Sequence, residues 1–303
     1  MFSLFPAKNN LKNGSMCLAP AQLDHYLEEI SSLLSDDSLF EIYIHGSDRN
    51  DQLDKIEQNK NVILQWRSSK VAAFIAELAW GCKVRIDPFR PYAGGVLPGR
   101  SWRWHAIIAP MTSGGPILVL RKQRFDVLDL SSFVFEGLSA SSLVGEMSKG
   151  ISVVIFGATG SGKTTLLMSL LKQYFTHVRL GIAEVVEEIP LLSSHWFRIL
   201  EVPPDAGGRG GVAMTKVLSE MMRLSPKVIA VGEVRGDEAR IIADMARTGH
   251  GGVLTTLHAG GFEDARTRLS TLAGLDLSQF PPLCGAYVSK IGDTVSVRSE
   301  RLN

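Results

Sequence analysis

The first half of the chain carries two kinds of apolar pattern, and each kind predicts a different element. Apolar residues recur at helical spacing over 21–34 and 70–81, and Gly81 ends the second of these helices. Alternating or clustered apolar residues predict strands over the ranges 39–46, 61–66, 83–87, 101–108 and 116–122. Two breaks rich in glycine and proline, PYAGGVLPG and APMTSGGP, separate the later strands. This succession predicts a smaller α+β domain with an antiparallel sheet.

From residue 151 onward, continuous apolar runs alternate with helical patterns. ISVVIF (151–156) is a β-branched run typical of a buried parallel strand, and residues 164–174 carry leucines at helical spacing. Strands that alternate with helices predict an α/β fold with a parallel sheet. The polar, small-residue stretch 136–150 has the composition of a hinge. The chain therefore divides into predicted parts: an N-terminal α+β domain over 1–137, a linker over 138–150 and an α/β domain over 151–303.

Composition narrows the class of protein. A chain of 303 residues with 45% apolar residues is long enough to bury a core in about two domains. Its 32 basic and 31 acidic residues nearly cancel, so nucleic acid is not an expected direct ligand. No apolar run approaches the ~20 residues that cross a bilayer, and the first residues lack the apolar core of a secretory signal. We therefore expect a cytoplasmic protein that reaches a membrane only through partners.

The segment GATGSGKTT (157–165), called the P-loop below, matches the pattern G-x-x-x-x-G-K-[ST] without a mismatch. Glycines in such a loop let backbone N–H groups point at phosphate oxygens, and the following helix adds its positive N-terminal end. Lys163 is placed to reach the terminal phosphates, and the Thr164 hydroxyl is placed to ligate Mg²⁺. The predicted cofactors are ATP and Mg²⁺. The predicted nucleotide contacts are Gly157, Thr159, Gly160, Ser161, Gly162, Lys163, Thr164 and Thr165.

An acidic residue follows a later predicted buried strand of the α/β domain. Val228 to Val231 form an apolar run, and Glu233 comes just after it. Ligands in open α/β sheets collect at the carboxyl ends of the strands, so Glu233 is expected to face the P-loop. It is the candidate for activating the attacking water and for contacting Mg²⁺ through water. Gly232 stands where an aspartate is often found, which leaves one carboxylate to act here.

These motifs resemble those of a known family. GATGSGKTT, LSPKVIAVGEVRGDEA and TGHGGVLTTLHA follow the order and spacing seen in the type II/type IV secretion and pilus-assembly ATPases. Residues 97–122 look like the N-terminal domain of the branch that serves conjugation, type IV secretion and tight-adherence pili. The resemblance covers roughly residues 35–275. It implies a RecA-like P-loop NTPase core preceded by a smaller α+β domain.

The resemblance also implies roles for further residues. The acid box of the family aligns with IAEVVEEI, where Glu184 takes the glutamate position and Val185 replaces the usual aspartate. His258, at the end of the strand VLTTLH, takes the position of a histidine that senses the terminal phosphate. Arg103 and Arg121 lie on strands of the first domain at the positions of catalytic arginines. The implied catalytic set is Glu233, Glu184, His258, Arg103 and Arg121.

Family membership implies a homo-hexamer that turns ATP hydrolysis into movement of a secretion or pilus machine, held at the inner membrane by membrane components of that machine. Two alternatives remain open from the sequence. A nucleic-acid-translocating motor on a similar core would bind DNA in a salt-sensitive way. An ATP-binding scaffold that does not hydrolyse ATP is favoured by Val185 and opposed by the intact Lys163, Thr164 and Glu233. Neither the cargo nor the direction of movement follows from the residues.

Overall fold

The computed structural model divides into two compact units, Met1–Lys122 and Gln123–Asn303. It describes residues 21–303 apart from 49–54, 59–60, 83, 98–100, 124–126, 203, 205–208, 248–251 and 293. The histidine of the motif TGHGG therefore lies outside the described residues.

The first unit combines helices with one sheet. Its helices are α1 (Ala21–Glu29), α2 (Ser31–Leu34) and α3 (Ser68–Gly81). Its strands are β1 (Glu41–Ser47), β2 (Lys55–Gln58), β3 (Asn61–Arg67), β4 (Tyr92–Val96), β5 (Trp102–Ile107) and β6 (Ile117–Lys122). The strand order is β2-β3-β1-β6-β5-β4. The α+β class is as predicted, but the sheet is mixed rather than antiparallel, because β1 and β3 pair in parallel.

Two strand predictions in this unit were wrong. Residues 84–87, all of them described, form no strand. Asp87 instead makes a turn in which its carboxylate accepts the backbone N–H of Phe89 at 2.8 Å. Conversely, the glycine-rich break contains strand β4, which forms an edge of the sheet. A β-carbon at Gly94 would lie 2.9 Å from the carbonyl oxygen of Trp104, so the glycine permits close approach of the neighbouring strand.

Strand β5 has an apolar and a polar face. Trp102 and Trp104 are buried at 2% exposure each and pack in the core of the first unit. Arg103 and His105 alternate with them and lie on the other face. This confirms the prediction that the tryptophan face belongs to the core.

The second unit is an α/β layer structure around one larger sheet. Its helices are α4 (Ala140–Ser148), α5 (Lys163–Tyr174), α6 (Met214–Met222), α7 (Glu238–Arg247) and α8 (Phe262–Ala273). Its strands are β7 (Phe133–Glu136), β8 (Ser152–Gly157), β9 (Leu180–Glu184), β10 (Trp196–Leu200), β11 (Val228–Val231), β12 (Val253–His258), β13 (Leu283–Ile291) and β14 (Thr294–Arg301). The strand order is β10-β9-β11-β12-β8-β13-β14-β7.

Most of this sheet is parallel, as predicted. The buried run of β8 lies between β12 and β13 and pairs in parallel with both. Among the described strands of this sheet, β13 and β14 are the one pair that runs antiparallel. The carboxyl ends of β9, β11, β12 and β8 therefore lie along one edge, and apolar clusters fill the two faces of the sheet. This edge carries the candidate site.

The stretch interpreted as a linker is regular structure that packs within the second unit. Strand β7 pairs with β14, and α4 is capped by Ser139, whose hydroxyl accepts the backbone N–H of Ser142 at 3.2 Å. Leu143 and Met147 of α4 are buried in the core. The unit boundary after Lys122 thus differs from the boundary drawn at 137 and 138, and the hinge role of 136–150 stays a prediction. Among the described residues, no helix is both long and apolar enough to span a bilayer.

Candidate active site

The P-loop joins the end of β8 to the start of α5. Gly157 is the last residue of β8, and a β-carbon there would lie 2.2 Å from the carbonyl oxygen of Val288. Gly160 and Gly162 have φ values of 75° and 100°, a left-handed backbone that favours glycine. The turn that they permit brings the chain directly to Lys163, the first residue of α5. The strand and helix that the motif requires are both present.

The polar groups of this loop fit a phosphate ligand. Ser161 is buried at 5% exposure, and within the described part of the chain its Oγ has no hydrogen-bond partner. A buried hydroxyl without a partner costs about 1–3 kcal/mol, which a phosphate oxygen would remove by hydrogen bonding to it. Lys163 is buried at 6% exposure, and its Nζ donates to the carbonyl oxygens of Gly157 at 3.1 Å and Ala158 at 2.8 Å. These neutral acceptors leave its charge available to an anion.

A chain of charged and polar side chains links this lysine to the predicted acid. The Nζ of Lys163 lies 3.3 Å from Nδ1 of His258, and Nε2 of His258 lies 3.3 Å from Oε1 of Glu233. Thr159 Oγ1 is 3.5 Å from the same Nδ1. Burial, and after it the charge of Lys163, lowers the pKa of His258 below its usual value. If neutral His258 accepts a hydrogen bond from Lys163 at Nδ1, its one ring proton is on Nε2. That N–H then points a hydrogen-bond donor toward the Glu233 carboxylate.

The backbone around Glu233 is fixed on both sides by neighbouring strands. Gly232 N donates to Ala183 O at 2.9 Å, and Thr256 Oγ1 donates to Gly232 O at 2.6 Å. Val234 N then donates to Thr256 O at 2.9 Å. Glu233 is thereby held between β9 and β12, whose last residue is His258. This explains how an acid two residues beyond β11 comes to face the P-loop.

Glu184 lies at the same edge, but its carboxylate is engaged by its own loop. Its Oε1 accepts the backbone N–H groups of Glu188 and Ile189, each at 2.9 Å, and its Oε2 accepts Nε of Arg198 at 2.9 Å. Arg198 also bonds the Glu187 carboxylate at 2.8 Å. Burial raises the pKa of Glu184 to about 7, although these donors and the Arg198 charge act in the opposite direction. The catalytic role implied for Glu184 stays a prediction.

The structure gives a reason for Gly232 and shows that the side chain of Val185 is exposed. A β-carbon at Gly232 would lie 3.2 Å from Cγ of Glu184, so any larger residue at this position would press on the buried glutamate side chain. Val185 is 47% exposed and offers no ligand atom. Glu187, a carboxylate two residues further along the same segment, pairs with Arg198.

Arg103 and Arg121 are neighbours in the first unit. They lie directly opposite each other on β5 and β6, and Arg121 Nε is 3.3 Å from Oε1 of Glu41. Arg121 is 62% exposed at its side chain. Burial lowers the pKa of His105, on the same face, and the charge of Arg103 adds to this. The two arginines thus lie side by side on neighbouring strands, with Glu41 beside Arg121. Their catalytic roles stay predictions.

The structure therefore brings together Thr159, Lys163, His258 and Glu233, and places Thr164 and Thr165 in the first turn of α5. Sequence reasoning missed the side chains that hold the segment around Glu233, which are Arg235, Glu238 and Thr256, and it missed Arg198, which binds Glu184. Two of them, Arg235 and Glu238, stand beside Glu233 in the motif GEVRGDEA, which was the available signal.

Comparison with known proteins assigns this architecture to a family. The model of the type II/IV secretion system proteins matches residues 103–292. A putative conjugal transfer protein of Mycobacterium tuberculosis is 29% identical over 216 residues, which cover 68% of this chain and 61% of that protein. Conjugal transfer protein TrbB of Rhizobium radiobacter is 30% identical over 205 residues, which cover 65% of this chain and 61% of that protein. The aligned part thus spans less than two thirds of these relatives.

The fold is also found in a solved structure. The ATPase DotB of Legionella pneumophila superposes with a TM-score of 0.61 at 18% sequence identity, over 96% of this chain and 82% of that one. At this identity the similarity establishes the fold alone, an N-terminal small sheet followed by a larger, mostly parallel sheet.

Proposed function

The chain belongs to the type II/IV secretion system ATPase family, and from this premise we propose that it is a cytoplasmic ATPase motor powering a secretion, conjugation or pilus-assembly machine. The observation that carries the proposal is the chain of contacts from Lys163 through His258 to Glu233 at the mouth of the P-loop. It joins a phosphate-binding cation to an acid that can activate water. We further propose that the protein works as a homo-hexamer held at the inner membrane by components of the machine.

In the proposed mechanism the nucleotide phosphates occupy the P-loop, and Thr164, with Glu233 through water, would hold Mg²⁺. The ion supplies positive charge that neutralises the phosphate oxygens. Lys163 turns from the carbonyl oxygens of Gly157 and Ala158 to the terminal phosphate. The buried Ser161 hydroxyl gains a phosphate oxygen as its partner.

Glu233 then acts on the water that attacks the terminal phosphorus. Its carboxylate orients that water and accepts a proton from it, as a general base does. Nε2 of His258 lies 3.3 Å from Glu233 and its Nδ1 lies 3.3 Å from Lys163, so the imidazole can respond when the lysine moves to a phosphate. Loss of the terminal phosphate would return Lys163 to His258 and the loop carbonyls.

Arg103 and Arg121 are proposed to stabilise negative charge as it spreads over the transferring phosphoryl group. Their support is the family resemblance and their adjacency on one sheet face. An arginine in this role is worth roughly 10³–10⁵ in rate. Nucleotide binding should not depend on these two arginines, because the P-loop already contains Lys163.

A second candidate function has a specific observation in its favour. Glu184 is engaged by Arg198 and by two backbone N–H groups, and the exposed Val185 has no carboxylate. An ATP-binding scaffold without hydrolysis would tolerate both features. It gives no reason for the placement of Glu233 beside His258, which is why we favour the ATPase.

The test is steady-state ATP hydrolysis by the purified protein with Mg²⁺, with and without DNA, alongside direct measurement of ATP affinity. We expect turnover that does not depend on DNA, and loss of both affinity and turnover in Lys163→Ala. Lys172→Ala is the matched control, because Lys172 is an exposed lysine of the same helix. ATP binding without turnover in the wild-type protein would favour the scaffold, and turnover that requires DNA would favour a nucleic-acid motor.

A further inference from the structure

Glu238 is a buried acid that the proposed mechanism does not use. It is the first residue of α7 and is 8% exposed. Its Oε1 accepts the backbone N–H of Arg235 at 2.5 Å and that of Gly236 at 2.9 Å. A carboxylate that accepts backbone N–H groups makes stronger hydrogen bonds than a neutral acceptor. Glu238 thus fixes the backbone of the turn between Glu233 and α7.

The residue fixed in this way holds Glu233 directly. Arg235 Nη2 donates to Oε2 of Glu233 at 2.5 Å, whereas Oε1 of Glu233 lies toward Nε2 of His258 at 3.3 Å. The other side of the segment is fixed by Thr256, which bonds the backbone of Gly232 and Val234. Glu233 therefore sits on a short segment whose two ends are pinned by different elements, α7 and β12.

We propose that Glu238 is a positioning residue for Glu233. By holding the backbone of Arg235 it directs the Arg235 guanidinium onto one oxygen of the Glu233 carboxylate, which keeps the other oxygen beside His258. The proposal rests on the proposed function, because it presumes that Glu233 activates water. A displacement of about 1 Å in a catalytic group can cost about 10²-fold in rate. Glu238 can therefore affect turnover even though it acts on Glu233 only through Arg235.

The plain alternative is that Glu238 only stabilises the beginning of α7. A carboxylate at a helix start commonly contributes about 0.5–2 kcal/mol in this way. Asp276 provides a matched control, since its carboxylate accepts the backbone N–H of Ser278 at 2.9 Å at the start of a short 3-10 helix (Leu277–Gln279). That turn leads from α8 into β13, whereas the P-loop follows the carboxyl end of β8.

The experiment compares Glu238→Ala, Glu238→Gln and Asp276→Ala in the whole 303-residue chain. Each variant is measured for kcat, ATP affinity, unfolding free energy, and amide hydrogen exchange at Arg235 and Gly236 without nucleotide. Glu238→Ala should lower kcat by about 10–100-fold, leave ATP affinity within about threefold and speed exchange at these amides. Glu238→Gln should recover most of the kcat, because its amide oxygen still accepts N–H groups. Asp276→Ala should lose stability only.

Arg235→Met separates positioning from folding if Glu238→Ala is unstable. It leaves the Glu238 contacts with the backbone in place, so kcat should fall while exchange at Gly236 stays slow. Normal kcat in both Glu238→Ala and Arg235→Met, or equal losses in kcat and ATP affinity, would overturn the proposal. A wild-type protein without turnover would instead overturn the proposed function, and this proposal with it.

Discussion

Removing Arg198 should destabilise the second unit far more than removing an ordinary surface arginine. Arg198 and Glu184 are only 13% and 2% exposed at their side chains, and their atoms meet at 2.9 Å. Arg198→Met would leave Glu184 buried without its counter-ion. Loss of one partner of a buried pair costs about 3–5 kcal/mol. At about 2–4 °C per kcal/mol for a unit of this size, Tm should fall by roughly 6–20 °C.

The size of this effect should depend on pH. Burial raises the pKa of Glu184 in the folded protein from 4.5 to about 7. Because the folded pKa exceeds the unfolded one, the stabilising contribution of protonated Glu184 is fully present below about pH 4.5 and is lost as pH rises toward 7. The Arg198 charge lowers the pKa of Glu184, so Arg198→Met should raise that pKa further. The unfolding free energy of this variant should therefore keep falling at pH values where that of the wild type has levelled off. Arg198→Met should therefore cost more at pH 8 than at pH 6.

Thermal unfolding without nucleotide at both pH values provides the assay, with Arg223→Met as the control. Arg223 is the residue just after α6, is 76% exposed at its side chain and pairs with Glu220 of that helix at 3.2 Å. An exposed ion pair of this kind contributes at most about 1 kcal/mol. The double variant Glu184→Gln/Arg198→Met should recover part of the lost stability, since no buried charge remains. A drop in Tm for Arg198→Met no larger than that for Arg223→Met would refute the reasoning.

Three further outcomes follow from the same contacts. In Glu184→Gln, the decline of unfolding free energy between about pH 4.5 and 7 should weaken, which urea titrations across that range would measure; an unchanged pH slope would contradict it. Gly232→Asp should lower unfolding free energy by about 1–3 kcal/mol, because its β-carbon would crowd Cγ of Glu184; wild-type stability in urea would show that the space is available. Alanine at Arg103 or Arg121 should reduce turnover by roughly 10³–10⁵-fold with little change in ATP affinity, and lysine should rescue poorly; equal losses of both quantities would remove the transition-state role.

Local signals in the sequence were sufficient for the parts of the site that one segment builds. The P-loop needs only glycines, Lys163 and flanking apolar runs, all contiguous in the chain, and its strand and helix form as predicted. Glu233 and His258 lie side by side because β11 and β12 are neighbouring parallel strands, and the two residues lie just after the end of β11 and at the end of β12. The general rule on the carboxyl ends of strands was enough to predict that edge.

Contacts between residues distant in the chain could not be predicted from the sequence. Arg198 meets Glu184 only because β10 pairs with β9 in a register that sets Leu200 opposite Glu184, and no local pattern specifies that register. Strand β4 was not predicted because glycine has low strand propensity, although Gly94 and Gly95 allow the strand to approach Trp104 closely. The composition of 136–150 suggested a hinge, but Leu143 and Met147 bury one face of α4 against the second unit.

The most direct test of the central claim is the comparison of Glu233→Gln with wild type in ATP affinity and single-turnover hydrolysis. The glutamine keeps the shape of the side chain but cannot accept the proton of the attacking water. We expect ATP affinity to stay within about threefold, and hydrolysis to fall by about 10²–10⁴-fold. Near-normal hydrolysis by Glu233→Gln would contradict the assignment of the water-activating acid to this residue and would return it to Glu184.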